Sequence, residues 1–455
     1  MSDARPRVPA AVGSAARVLR LVHEAGPITR AEVTRRTGLN RSTTLTLVGE
    51  LVDLGLLHEE LPTAGSPGAG VGRPSPVVRA AADVVAAAVT VEIDAVSVAL
   101  VGLDGTVRAR LVSPQDRPPT AAEAVETVAA LLDGVRQTAD GDDPAGPTAT
   151  GAPTALRLVG IGVAVPGTVR VEDGTVQYAP HLGWHDEPLA GPLAARTGLP
   201  VRAANDANLG AWAERLGGSG RGVDDLVYLN GGASGIGGGV ITGGRPLSGA
   251  DGYAGELGHT FVAANGVRCH CGAVGCLETE ASRDTLTAAT GTPPDDLEAL
   301  AGALAEGRPD VERVVDRQVA AIATALRNAI HTVNPEVVVL GGFLGVLLDH
   351  VGDRIVDDVR AQSMTGMTDR LRIVPAALGR DVLVHGAAEI AFRDLLRDPA
   401  RIAAAAPATL PTSTSTSTST STSTSTSTST STPTPATLPT TTSGRTAAAE
   451  EARPA

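Results

Sequence analysis

The chain has 455 residues, 42% of them hydrophobic, and a formal net charge of -13. At the usual domain scale of about 100 to 200 residues, that length can bury two or three cores. No apolar run reaches the roughly 18 residues of a membrane span, and the N-terminus has arginines but no apolar stretch before a cleavage site, so a soluble cytoplasmic protein without membrane contact is expected. Lysine is absent, so all 37 basic residues are arginine. Residues 1–80 hold ten arginines against seven carboxylates, +3, which leaves -16 for the remainder. A mildly basic head on an acidic body suits a head that touches a polyanion.

Within the head, Ser14 to Glu24 reads as a helix with Val18, Leu19, Leu21 and Val22 on its apolar side, and Gly26-Pro27 stops it. Thr29 can cap a second helix, with Glu32 completing a capping box, and Gly38-Leu39-Asn40 makes the turn. Arg41 to Leu54 is a third helix, with Leu45, Val48, Leu51 and Val52 expected to face the core. Arg41, Ser42, Thr43 and Thr46 are expected to point outward, short polar groups clustered at a helix N-terminus. This is the pattern of a helix-turn-helix whose recognition helix enters the major groove. A strand begins at Gly55-Leu56-Leu57, and the Gly/Pro-rich run after it resembles a wing from which Arg73 could reach a phosphate or the minor groove. Residues 10–80 thus form a candidate winged helix-turn-helix, with a trihelical packing or dimerisation module as the bland alternative.

From Ala81 the composition becomes that of an α/β domain, residues 81–400. Two β-rich runs joined near Asp94, a turn at Asp104-Gly105 and a helix from Thr120 to Gln137 come first. A Gly/Pro/Thr insertion reads as a surface loop, and LVGIGVAVPG follows as a buried strand. The strand PVRAANDAN ends in Asn205, Asp206 and Asn208, at the carboxyl end where ligands of α/β sheets sit. DLVYLNGGASGIGGGVITGGRPL is a glycine-rich hairpin that could cradle phosphate or simply serve tight turns. Helix over Val311 to Thr332, the strand PEVVVLGGFLG and a last amphipathic helix over about Val384 to Leu396 complete the domain. Residues 401–455 contain an unbroken Thr-Ser alternation that cannot bury a core and are expected to be disordered.

All three cysteines, Cys269, Cys271 and Cys276, lie within eight residues, with His259 ten residues upstream of the first. Three thiolates and an imidazole are the ligand set of a closed tetrahedral zinc site, and Gly272 and Gly275 let the backbone curl around one ion. A disulfide would leave one thiol over. Four protein ligands leave no position for water, which makes the expected zinc structural and argues against a zinc hydrolase.

The ordered series GIGVAVPG, HLGW, NDAN, GIGGG, GADGYAGELGH, CHCGAVGCLE and NPEVVVLGG resembles the ROK family of sugar kinases and sugar-responsive repressors over about residues 81–398. With the winged helix-turn-helix in front, the chain looks like the repressor branch, of NagC/XylR type. The resemblance implies a two-lobed, actin-like (ribonuclease H-like) sugar kinase fold, zinc on His259 and the cysteines, and a homodimer or tetramer. It also implies that Asn205, Asp206, Glu256, His259 and Glu278 hydrogen-bond sugar hydroxyls, and that Asp206 would be the general base in a kinase. A carboxylate can accept from two vicinal hydroxyls, and an amide both donates and accepts, so the chemistry stands independently.

Kinases of the family open the domain with an Asp-x-Gly-Gly-Thr phosphate turn, whereas the aligned segment here is Thr90-Val91-Glu92-Ile93-Asp94. Side chains fill the space that phosphate needs, and Glu92 and Asp94 would repel it, so ATP is not expected to bind well. His181 stands where the family has Asn before Leu-Gly-Trp. The expected protein is therefore a regulator, a repressor, whose degenerate kinase domain binds a sugar or sugar phosphate and controls binding to operator DNA. The alternative is an active ATP-dependent sugar kinase, of glucokinase or N-acetylhexosamine kinase type, with an added DNA-binding head.

Overall fold

The computed structural model describes residues 13–61, 75–141, 156–232, 234–294 and 296–403. Arg73, the 142–155 part of the insertion and the tail beyond 403 lie outside the described residues. The head is built from α1 (Ser14–Ala25), β1 (Ile28–Thr29), α2 (Arg30–Thr37), α3 (Arg41–Asp53), β2 (Leu57–Glu60) and β3 (Val77–Ala80), with the strands in the order β1-β3-β2. Thr29 caps α2 by accepting from the Glu32 N–H at 3.2 Å, while the Glu32 carboxylate turns to Arg35. Asn40 caps α3 through the Thr43 N–H at 2.8 Å.

One feature of α3 differs from expectation. Thr44, not Leu45, is buried with Val48 and Leu51, whereas Leu45 is 53% exposed and Val52 only half-buried. The core accepts Thr44 because its hydroxyl donates back to the Asn40 carbonyl at 3.0 Å, leaving its methyl for packing.

The body repeats one topology twice. Its first lobe contains β4 (Val84–Val91), β5 (Ala95–Gly102), β6 (Val107–Pro114), α4 (Ala121–Gly141) and β7 (Arg157–Val165). A small sheet of β8 (Thr168–Val169), β9 (Thr175–Ala179) and β10 (Trp184–Pro188) follows, then α5 (Ala190–Thr197) and β11 (Val201–Asn205). The main sheet runs β11-β7-β4-β5-β6, with β5 antiparallel to its neighbours and β7 and β11 parallel to β4.

Helix α6 (Asp206–Gly217) leads to the second lobe, whose first strands are β12 (Leu226–Gly232), β13 (Gly235–Thr242) and β14 (Arg245–Pro246). Then come α7 (Leu277–Glu280), α8 (Arg283–Thr290), α9 (Leu297–Ala305), α10 (Pro309–Val333), β15 (Val337–Gly342), α11 (Phe343–Val351), α12 (Asp353–Gln362) and β16 (Arg372–Pro375). Its sheet runs β14-β13-β12-β15-β16, the same order and the same senses as the first.

Helix α13 (Val382–Arg397) returns from the second lobe to cover the first sheet. Every residue of β4 is buried, because each face has its own helix. Val85, Ala87, Val89 and Val91 face the α4 side, while Ala86 and Ala88 join the core beneath α13. That second core does not stop at the body: Val18, Leu19, Val22, Leu51 and Leu57 of the head belong to it together with Phe392, Leu395 and Leu396 of α13.

Polar contacts fix the same junction. Arg157 donates to the Leu54 carbonyl at 3.0 Å and to the Gly55 carbonyl, and Arg221 donates to the Ala25 carbonyl at 2.7 Å. His23 lies between the Leu103 carbonyl at 2.6 Å and Glu389 of α13 at 2.8 Å. Two acceptors require two ring N–H donors, the charged form. Burial works against that charge, yet Glu389, Leu103 and Glu24 outweigh it and raise the His23 pKa to about 9.

A pKa raised from 6.5 to about 9 stabilises the fold by about 3 kcal/mol below pH 6.5, and this is lost as pH rises through 9. In thermal melts, the wild type should therefore lead His23→Gln by a margin that narrows between pH 6 and about pH 9.5; a constant margin would mean that His23 is uncharged.

Candidate functional site

Between the lobes lies a cavity of about 180 Å³, lined from the first lobe by Glu92, Ile93, His181, Asn205 and Asp206. The second lobe contributes Asn230, Gly235, Glu256, His259, His270 and Glu278, and α13 contributes Leu383. All five residues proposed for sugar contact thus meet at one place.

Local structure explains how each arrives there. Asn205 ends β11 and caps α6: its amide oxygen accepts from the Asn208 N–H at 2.9 Å, and its amide nitrogen donates to the Gly167 carbonyl at 3.1 Å. One amide N–H remains for a ligand. Asp206 begins α6, with one carboxylate oxygen accepting from the Ala207 N–H at 2.7 Å. Its carboxyl is deeply set though open to the cavity, and its pKa is raised to about 7, chiefly by burial and further by Glu256 and Glu92. The Glu256 carboxyl is likewise pushed up, by burial and then by Glu278. Glu278 accepts from the Ile236 N–H at 3.2 Å and lies 3.1 Å from His270 Nδ1. Gly235 makes room for it, since a Cβ there would sit 2.1 Å from the carboxylate, and its φ of +119° also excludes other residues.

Sequence reasoning assigned no ligand role to Asn230 and His270, although a polar residue ending the apolar run of β12 and a histidine between two thiols were both readable signals. His181 and His270 meet edge to face with ring centroids 5.0 Å apart, and His259 lies 5.2 Å from His270. Of the two carboxylates expected to oppose phosphate, Glu92 does line the cavity and Asp94 does not, because Asp94 lies at the exposed far end of its turn.

The glycines from 235 to 239 belong to strand β13, paired with β12, and not to a free phosphate loop. A Cβ at Gly237 or Gly239 would lie 2.7 Å or 2.6 Å from the methyl groups of Ala207 and Ala211. These glycines let α6 pack directly on the strand, a helix-packing role that glycine count alone cannot distinguish from phosphate binding.

Next to the cavity, His259, Cys269, Cys271 and Cys276 bring one donor atom each to within 4.8 Å of one another. A tetrahedral ion with metal–sulfur bonds near 2.3 Å and metal–nitrogen bonds near 2.0 Å sets its donors roughly 3.5 to 3.8 Å apart. Cys271 Sγ and Cys276 Sγ are 3.7 Å apart, and Cys269 Sγ and His259 Nδ1 are 3.6 Å apart, so the residues fit such an ion. Gly275, at φ +77°, lets the loop pass within van der Waals distance of the Ala263 carbonyl, where a Cβ would lie at 1.8 Å. With Nδ1 turned to the sulfurs, Nε2 of His259 is the nitrogen left for the cavity.

On the head, Arg41, Ser42 and Thr46 are exposed on α3, and Thr43 is half-buried. The Ser42 hydroxyl donates to the Asn40 side chain at 2.7 Å, which orients it at the helix start.

Residues 147–394 match the model of the ROK family, and residues 13–65 match that of the MarR family. The chain belongs to the ROK family. It is 26% identical over 377 residues to a xylose repressor of Bacillus subtilis, covering 82% of this chain and 93% of that protein. A glucokinase of Thermotoga maritima is 35% identical over 252 residues, 50% of this chain and 78% of that enzyme. Among solved structures, a ROK family transcriptional regulator homologous to the E. coli MLC protein superposes with a TM-score of 0.67 at 28% identity, over 84% of this chain and 96% of that one.

Purified protein should carry about one zinc ion per chain by atomic absorption, and Cys276→Ser should lose most of it and melt earlier. Unchanged metal content in the variant would refute the ligand assignment.

Proposed function

We propose that this protein is a sugar-responsive transcriptional repressor in which the body senses the effector and the head binds operator DNA. The observation that carries the reading is the cavity at the start of α6, lined by carboxylates and amides, together with a winged head that shares one core with α13. Similarity to a xylose repressor along 82% of this chain supports it. Zinc on His259 and the three cysteines would pin the loop that brings His259 and Glu278 to the cavity, a structural role.

The effector is an unphosphorylated sugar. Glu92, Asp206, Glu256 and Glu278 line the cavity, and neither arginine nor lysine is among the described lining residues. A phosphate dianion would face four carboxylates with no arginine or lysine beside them among the described lining residues, whereas neutral hydroxyls find acceptors. Binding shifts the population toward a closed arrangement of the lobes, and in a dimer this changes the spacing of two heads that must reach half-sites about 34 Å apart.

A second reading, an active sugar kinase, is favoured by the Asp206 carboxyl, whose pKa near 7 suits a general base. A coupled ADP-release assay with glucose, N-acetylglucosamine, N-acetylmannosamine and xylose separates the two: turnover abolished by Asp206→Asn would establish the kinase.

Under the repressor reading, calorimetry should find a free sugar that binds and alters operator affinity, while its phosphate ester does neither. Asp206→Asn should weaken that sugar at least about tenfold, the value of a hydrogen bond to a charged group, and leave operator affinity without sugar unchanged. Operator affinity indifferent to every sugar tested would sink the proposal.

A further inference from the structure

We infer that Leu45 reads the methyl group of a thymine in the major groove, an inference that rests on the DNA-binding reading of the head. Helix α3 distributes its side chains against expectation: Thr44 is fully buried and Leu45, the next residue, is 53% exposed. Burying a leucine side chain is worth about 1.5 to 3 kcal/mol relative to exposure, so the helix forgoes much of that at this position.

The place of Leu45 on the helix gives the exposure a use. Residues three and four apart share a helix face, which sets Leu45 beside Arg41, Ser42 and Gly49, with Thr46 next to it, all exposed. Gly49 adds no side chain, and among the described residues nothing lies within 4 Å of where its Cβ would be, which leaves room beside Leu45 for close approach. Arg41 and Ser42 supply phosphate or base-edge donors at the helix start.

Leucine has neither donor nor acceptor for the polar edges of bases. Among the groups a base pair presents in the major groove, the thymine C5-methyl is the apolar one. A leucine at the middle of the reading face therefore selects an A·T pair, oriented so that the methyl lies beneath it. The recognition is of the methyl and not of the base's hydrogen-bonding edge, which makes it separable from all other contacts by one chemical change, thymine to uracil.

The test begins by selecting an operator from a random DNA pool with the full-length protein. Each thymine of the selected duplex is then replaced singly by deoxyuridine, and affinity is measured for the wild type and for Leu45→Ala, whose melting temperature should match the wild type because residue 45 is exposed. One replacement per half-site should cost the wild type about fourfold, the worth of one buried methyl group, and should cost Leu45→Ala nothing. Equal losses in both proteins, or a selected site without thymine, would overturn the inference while leaving DNA binding intact. A change of oligomeric state in Leu45→Ala with unchanged DNA affinity would make the leucine a subunit contact instead. Failure to select any DNA sequence would overturn the inference together with the reading of the head on which it rests.

Discussion

A methyl group added to Gly162 of β7 would lie 1.8 Å from the carbonyl oxygen of Ala387, and one added to Gly386 would lie 2.5 Å from the carbonyl oxygen of Leu209. Helix α13 thus touches backbone on two sides at once, the central sheet of the first lobe and helix α6. Ala86 and Ala88 beneath it are as small as a chiral residue allows. Interiors packed this closely do not deform gradually; they shift as units or not at all. The third side of α13 carries Glu389, Phe392, Leu395 and Leu396, which hold α1 of the head.

This packing gives the cavity a mechanical neighbour. Asp206 stands at the first turn of α6, and α6 is fastened to β13 of the second lobe by Gly237 and Gly239 on one side and to α13 on the other. A ligand that drew the second-lobe carboxylates Glu256 and Glu278 toward Asp206 would load the contacts that α6 makes with β13 and with α13. If β13 follows the ligand, α13 takes up the displacement, and the head rides on α13 through the charged pair of His23 with Glu389. The loop of Cys269, Cys271 and Cys276, whose donors could hold a metal ion with His259, carries His259 and Glu278 at the same cavity.

Much of this was legible in the sequence because it depends on local chemistry. The thiol spacing with glycines at 272 and 275, the cap residues Thr29 and Asn40, and the polar cluster Asn205-Asp206 at a strand end each announce themselves within a few residues. What was not legible depends on partners distant in sequence. The phase of α3 turned on Thr44 satisfying its hydroxyl against Asn40, which periodicity weighs no differently from an exposed threonine. The 235–239 glycines could be read as a phosphate cradle or as tight turns, because only the arrival of Ala207 and Ala211 shows what the missing side chains make room for. His23 gave no sign of its role, since Leu103 and Glu389 lie 80 and 366 residues away.

Occupancy of the cavity should be felt at the head through α6 and α13. Hydrogen–deuterium exchange, followed by mass spectrometry with and without a saturating sugar, tests it most directly. Altered exchange is expected in three places: the α6 peptides, α13 from Val382 to Arg397, and α1 from Ser14 to Ala25. Protection confined to the cavity residues, with α13 and α1 exchanging as in the free protein, would contradict it.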